Sequence, residues 1–121
     1  ISVLFDETTK NNKAPNGVLP IGNNKLLLVD WGGELFEANT LTKKITKLGE
    51  GFSGGDGLAI KNETIYISSW KEGKVYEFKN GKSKVIIEGF MAAADIALSK
   101  DKTHLIIPDM KAGTVTIYPL K

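Results

Sequence analysis

The chain contains no cysteine, which excludes a disulfide framework, a thiolate metal site and a cysteine nucleophile while leaving the compartment open. It also lacks any block of like charge. Sixteen basic and fourteen acidic residues leave a formal charge of +2 over 121 residues, so neither a phosphate-binding surface nor a membrane-surface helix is indicated, and nucleic acid and membrane are not expected partners. No apolar run approaches the ~20 residues that a membrane helix needs, and no signal-peptide pattern is present. The first residue is Ile1 rather than Met. We read this start either as the scar of a removed leader, which would place the protein in the periplasm or outside the cell, or as the edge of a longer chain. What is present, 41% hydrophobic and 25% charged residues, is ordinary for one soluble globular domain.

The chain repeats itself at a shift of about forty residues. PNGVLPI, GDGLAI and ADIALS each place an Asn or Asp (Asn16, Asp56, Asp95) just before an apolar, strand-like run. Fourteen, thirteen and fourteen residues later come Asp30-Trp31, Ser69-Trp70 and Asp109-Met110, closing the runs KLLLVDW, TIYISSW and HLIIPDM. Gly33, Gly73 and Gly113 follow at equal spacing and open ELFEA, KVYEF and TVTIY. Each unit therefore reads as short strands separated by Gly, Asn, Asp and Lys turns, with no sustained helical period. In each, strand A follows the Asn or Asp, strand B ends at the Trp or Met, and strand C follows the Gly. KKITKL and SKVIIEG supply a strand D in the first two units.

The B runs are apolar almost throughout, as strands covered on both faces are, so Leu27, Val29, Ile65, Ile67, Leu105 and Ile107 are expected in the core. Four strands per ~40 residues is the signature of a β-propeller blade, with a stacked solenoid as the competing architecture. The expected fold is thus all-β, a partial β-propeller over residues 1–121. It has about three four-stranded blades, near 14–49, 55–89 and 93–121. The opening segment ISVLFDE, residues 1–7, reads as a D-like strand from a preceding blade, whereas the third unit stops after strand C. Known rings use about four to eight blades, so a missing propeller half or a second copy of the chain is the expected partner, and half of a six-bladed ring the simplest reading.

In such a ring strand A lines the central channel, so Asn16, Asp56 and Asp95 should converge at its mouth. Oxygen-bearing side chains meeting at one point suit a hard divalent cation, Ca²⁺ in preference to Zn²⁺. Strand B returns to the same rim, and Asp30, Trp31, Ser69, Trp70, Asp109 and Met110 should form an outer ring available to a small-molecule ligand. Plainer readings stand beside these. Asn-Gly and Asp-Gly are strong turn formers, and large aromatics often pack blades together. His104 lies on the opposite rim, and Glu34, Glu72, Glu77 and Glu88 read as solvated charges.

The stretches PNG at Pro15–Gly17, GDG at Gly55–Gly57 and ADIALSKDKTHLIIPDMKAGTVTIYPL resemble the gluconolactonase-like family, also called the SMP-30 or regucalcin-like family, of six-bladed propellers. The resemblance spans essentially this whole chain and about half of a full-length member. It implies a divalent metal at the channel mouth, held by a glutamate of an early blade, an asparagine before glycine and an aspartate before glycine. Asn16 matches the asparagine and Asp56 the aspartate. In hydrolytic members that aspartate also acts as general base toward a lactone, which makes Asp56 the catalytic candidate. The glutamate, and the arginine and asparagine that hold the sugar, have no match in this sequence. Two functions follow as expectations. One is a metal-dependent sugar-lactone hydrolase of which this chain carries half the site; the other is a non-enzymatic propeller that binds a ligand or partner protein at the channel mouth.

Overall fold

A computed structural model describes residues 1–6 and 14–121. Among the described residues there is no helix, and all regular structure is antiparallel strand. The first sheet comprises β1 (Pro15–Gly22), β2 (Lys25–Asp30), β3 (Leu35–Asn39) and β4 (Ile45–Gly49), hydrogen-bonded in that order. The second repeats this with β5 (Gly55–Lys61), β6 (Thr64–Ser69), β7 (Lys74–Lys79) and β8 (Lys82–Glu88). The third has three strands, β9 (Ala97–Leu98), β10 (His104–Asp109) and β11 (Thr114–Pro119), in keeping with a unit that stops after strand C.

Local chemistry sets these meanders. Asn23-Asn24 and Asn80-Gly81 turn β1 into β2 and β7 into β8, each pair with both φ values positive, the geometry that two-residue hairpins require. The sheets then stack side by side. β5 touches β1 and β2 on one side and β9 on the other, which makes β1, β5 and β9 the inner strands. Leu27, Val29 and Leu35 of the first sheet meet Leu58, Ile65, Ile67, Tyr76 and Phe78 of the second around Phe52. Ala59, Tyr66 and Val75 of the second sheet meet Ile96, Leu105 and Ile107 of the third. All six predicted B-strand core residues are buried. The architecture is that of β-propeller blades.

Two expectations need correction. Strand A of the third blade shrinks to two residues, because Ala93 bridges Asp109 and the chain leaves the ladder until Ala97. The opening segment forms no strand over Ile1–Asp6, and Glu7 lies outside the described residues. Instead Phe5 packs on Leu28, Phe36 and Ala38, the face of the first sheet turned away from the second. Burial of an aromatic ring replaces strand pairing there.

Candidate functional site

The inner strands do not run straight into their partners. β1 carries one extra residue between the pairs Pro15–Asp30 and Gly17–Val29, and β5 one between Gly55–Ser69 and Leu58–Ile67. Asn16 and Asp56 sit in these bulges, which re-aim side chains. The glycines beside them have a different task from turning the chain. A Cβ on Gly17 would collide with the Asp56 carbonyl and lie 3.1 Å from its carbon; one on Gly57 would collide with the Ile96 amide and lie 2.8 Å from Asp95 Cα. Glycine is thus what lets successive inner strands approach backbone to backbone. Through these contacts Asn16, Asp56 and Asp95 occupy neighbouring places on three successive blades.

Asn16 donates from Nδ2 to the Gly55 carbonyl at 2.9 Å, which leaves its Oδ1 as the atom available to accept or coordinate. Asp56 is half-buried and Asp95 exposed. Burial, and secondarily the charge of Asp95, push the Asp56 carboxyl above its ordinary range. Among the described residues no hydrogen bond or ion pair reaches either carboxylate. Nor does any group of three or more His, Cys, Asp or Glu side chains gather as a metal site among the described residues; Asn16, Asp56 and Asp95 bring two carboxylates and an amide. Those are hard oxygen donors of the kind that Ca²⁺ takes, and the set is partial.

The outer ring departs from expectation in its polar members. Asp30, Ser69 and Asp109 are buried and turned into the protein. The Glu34 amide donates to Asp30 Oδ1 at 2.9 Å. Ser69 Oγ accepts from Glu72 N at 3.0 Å and donates to the Ser53 carbonyl. The Asp109 carboxylate accepts from the amides of Ala112, Met91, Ala92 and Lys111, and these bonds, Ala112's foremost, hold its pKa below the usual range. All three therefore cap turns, and Ser69 and Asp109 also tie their blades to the preceding linker.

Trp31 and Trp70 lie side by side just past the ends of β2 and β6. Their ring centroids are 5.8 Å apart at 49°, Trp31 is 43% exposed, and Lys111 Nζ sits 4.6 Å from the Trp70 ring. One residue from each blade thus joins a tryptophan–tryptophan–lysine run, with Met110 exposed alongside. Glu72 is not merely solvated, because Tyr76 OH donates to it at 2.8 Å. Burial first and that carboxylate second push the tyrosine pKa up to about 12.

Ser68 went unnoticed in the sequence. It is fully buried, accepts from Gly57 N at 2.8 Å and donates to the Ala94 carbonyl at 2.6 Å, fastening the second blade to the third beside Asp56 and Asp95. The signal was a serine in a B strand whose other repeats carry Val29 and Pro108 at that place.

No protein-family model matches the chain, and no curated protein matches it. Solved structures do. Regucalcin from Agrobacterium tumefaciens, described as a calcium-binding protein, shares 23% identity at a TM-score of 0.69 over 88% of this chain and 40% of its own. A chain of a nidogen/laminin complex matches at 12% identity and TM-score 0.68 over 85% of this chain and 47% of its own. Sqt1 from Saccharomyces cerevisiae matches at 15% identity and TM-score 0.67 over 91% of this chain and 32% of its own. This chain spans less than half the length of each, and at these identities the likeness is one of fold.

Proposed function

We propose that this chain supplies part of a calcium site at the mouth of a propeller channel, with Asp56 and Asp95 as carboxylate ligands and Asn16 Oδ1 as a third oxygen. The observation that carries the reading is the pair of carboxylates that successive blades bring together with no protein partner among the described residues. A half-buried carboxylate beside a second one is costly when both are ionised. The regucalcin-like architecture, and the resemblance of PNG and GDG to the gluconolactonase-like motifs, support the same reading.

Bound there, a divalent cation would compensate the two charges and offer a Lewis-acidic contact to a carbonyl oxygen. In the completed ring the reaction we propose is hydrolysis of a sugar lactone or related ester. Asp56 is the proposed general base, the role implied by its match to the aspartate of the gluconolactonase-like GDG motif. Trp31, with its ring partly open to solvent, is proposed to cover the apolar side of the ligand.

The test is thermal stability with and without Ca²⁺. An ion that binds only the folded state adds about 2.7 kcal/mol at a hundredfold excess over its dissociation constant. Asp56→Asn should reduce the calcium-induced rise in Tm, whereas Glu63→Gln, in the exposed turn between β5 and β6, should not. A calcium response identical in Asp56→Asn and the parent chain removes the proposal.

A further inference from the structure

The chain's two tryptophans stand at equivalent places of successive repeats, Trp31 just past β2 and Trp70 just past β6. A tryptophan that packs two blades together is buried in the seam between them. These two belong to none of the buried clusters, and Trp31 is 43% exposed. Their mounting is nonetheless fixed. Gly54, in the linker between the two blades, donates its N–H to the Trp31 carbonyl and accepts from Trp70 N, each at 2.9 Å. Its φ is +70°, and a Cβ there would lie 2.4 Å from Lys71 Cβ and 2.8 Å from Lys71 N. Conformation and space both call for glycine. The first glycine of GGDG thus sets how the two indoles stand to one another.

The two rings differ in what covers them. Lys111 Nζ lies 4.6 Å from the centroid of Trp70, a cation–π contact, whereas Trp31 is followed by Gly32 and carries no such cation among the described residues. Lys111 is exposed and pairs with no carboxylate among the described residues. Its charge is held in place and available. Rings 5.8 Å apart at 49° form one bent surface, with no slot between them for a flat guest. The surface also lies beside the candidate cation site. Asp30, before Trp31, pairs with Pro15, before Asn16, and Ser69, before Trp70, pairs with Gly55, before Asp56. Neighbouring strands are about 5 Å apart, so the tryptophans stand one strand away from the bulges that carry Asn16 and Asp56.

We propose that Trp31, Trp70 and Lys111 form a subsite for a sugar ring that carries an anionic group, a carboxylate or a phosphate. The apolar C–H face of the ring lies on the Trp31 indole, and the anion draws the Lys111 ammonium from its place over Trp70. A ring with an apolar face and a polar edge suits tryptophan, which is built the same way. Lysine meets either anion as a point charge. The sugar part of this inference rests on the lactone-hydrolase reading; the anionic part rests on Lys111. Together they narrow the substrate class from sugar lactones in general to acidic ones.

Intrinsic fluorescence tests this, because the chain's only two tryptophans are the two in the subsite. Titrations in EDTA, which keep the measurement apart from the cation site, compare glucuronate, glucose 6-phosphate and glucose. At least one acidic sugar should change the emission saturably and bind about fivefold or more tightly than glucose at low salt; which of them does so separates carboxylate from phosphate. Lys111→Gln should bring the acidic sugars down to the affinity of glucose. Lys79→Gln, at the far end of β7, should leave the preference intact. Lys111 is exposed, so the fold of its variant, read by circular dichroism, should persist. The inference is overturned if no sugar changes the emission, if glucose binds as tightly as the acidic sugars, or if the preference survives Lys111→Gln. Tighter binding of AMP or of inorganic phosphate than of either acidic sugar overturns it too. The calcium response of Asp56 is a separate readout. Its failure with acidic-sugar binding intact removes the cation site alone, and the converse removes this subsite alone.

Discussion

Replacing Ser68 by alanine isolates the seam that holds the site together. The hydroxyl of this fully buried residue takes one hydrogen bond from Gly57 N at 2.8 Å and gives one to the Ala94 carbonyl at 2.6 Å. Removing it leaves the buried Gly57 donor and the part-buried Ala94 acceptor without that partner, and each orphaned buried group costs about 1–3 kcal/mol. Alanine leaves little void and the strands can relax slightly, so we expect a net loss of about 2–4 kcal/mol. Against a total stability of roughly 5–15 kcal/mol for a domain, that is a large share. Urea unfolding followed by the fluorescence of Trp31 and Trp70 measures it, with the slope unchanged because the surface exposed on unfolding is the same. Ala94 precedes Asp95, so the variant should also blunt any calcium response. A loss below ~0.5 kcal/mol would mean that the two bonds are replaced elsewhere or contribute nothing, and that the seam is not fastened at Ser68.

Truncating Ile67, fully buried between the first two blades, to alanine should cost about 2–5 kcal/mol in the same assay; a loss under ~1 kcal/mol would remove that strand from the core. Gly57→Ala should cost about 1–3 kcal/mol by forcing the inner strands apart, and a neutral outcome would refute the backbone contact with Asp95 and Ile96. Asp109 has a depressed folded pKa, so its contribution is present above the unfolded carboxylate value and is lost as pH falls through the folded one. Asp109→Asn should therefore flatten the acid limb of the stability–pH curve, and an unchanged limb refutes this. Asp56 has the opposite sign: its folded pKa is raised, so ionisation destabilises the fold above that value and protonation relieves it. Without calcium, Asp56→Asn should be more stable than the parent at neutral pH, and a less stable variant would contradict the burial and repulsion assigned to this carboxylate.

The repeat made the architecture legible. Asn or Asp before strand A, an apolar strand B and an equally spaced glycine before strand C recur at about forty residues, and each lands where a blade needs it. That Asn16, Asp56 and Asp95 fall at neighbouring places was legible for the same reason, since equivalent positions on successive blades must be neighbours. The glycines of GGDG were less transparent. Gly-Asp-Gly reads locally as a turn, but Gly57 is required by backbone thirty-eight residues away, at Asp95, and local propensity cannot report a non-local clash. Asp30, Ser69 and Asp109 were placed correctly along the chain but facing the wrong way, because sequence gives a cap and a ligand the same polar residue. Their partners, the amides of Glu34, Glu72 and Ala112 among them, exist only once the turn has formed. The opening segment failed differently: its strand-like composition was read without the apolar face of the first blade on which Phe5 settles.

The central claim is that Asp56 and Asp95 form one cation site. Isothermal titration of CaCl₂ into the chain, its Asp56→Asn variant and its Asp95→Asn variant tests it most directly. The account predicts saturable calcium binding by the parent chain and a loss of at least tenfold in affinity in each single variant. In the double variant the two losses should not simply add, because the two carboxylates act on the same ion. Absence of calcium binding by the parent chain, or equal affinity in all the variants, would contradict it.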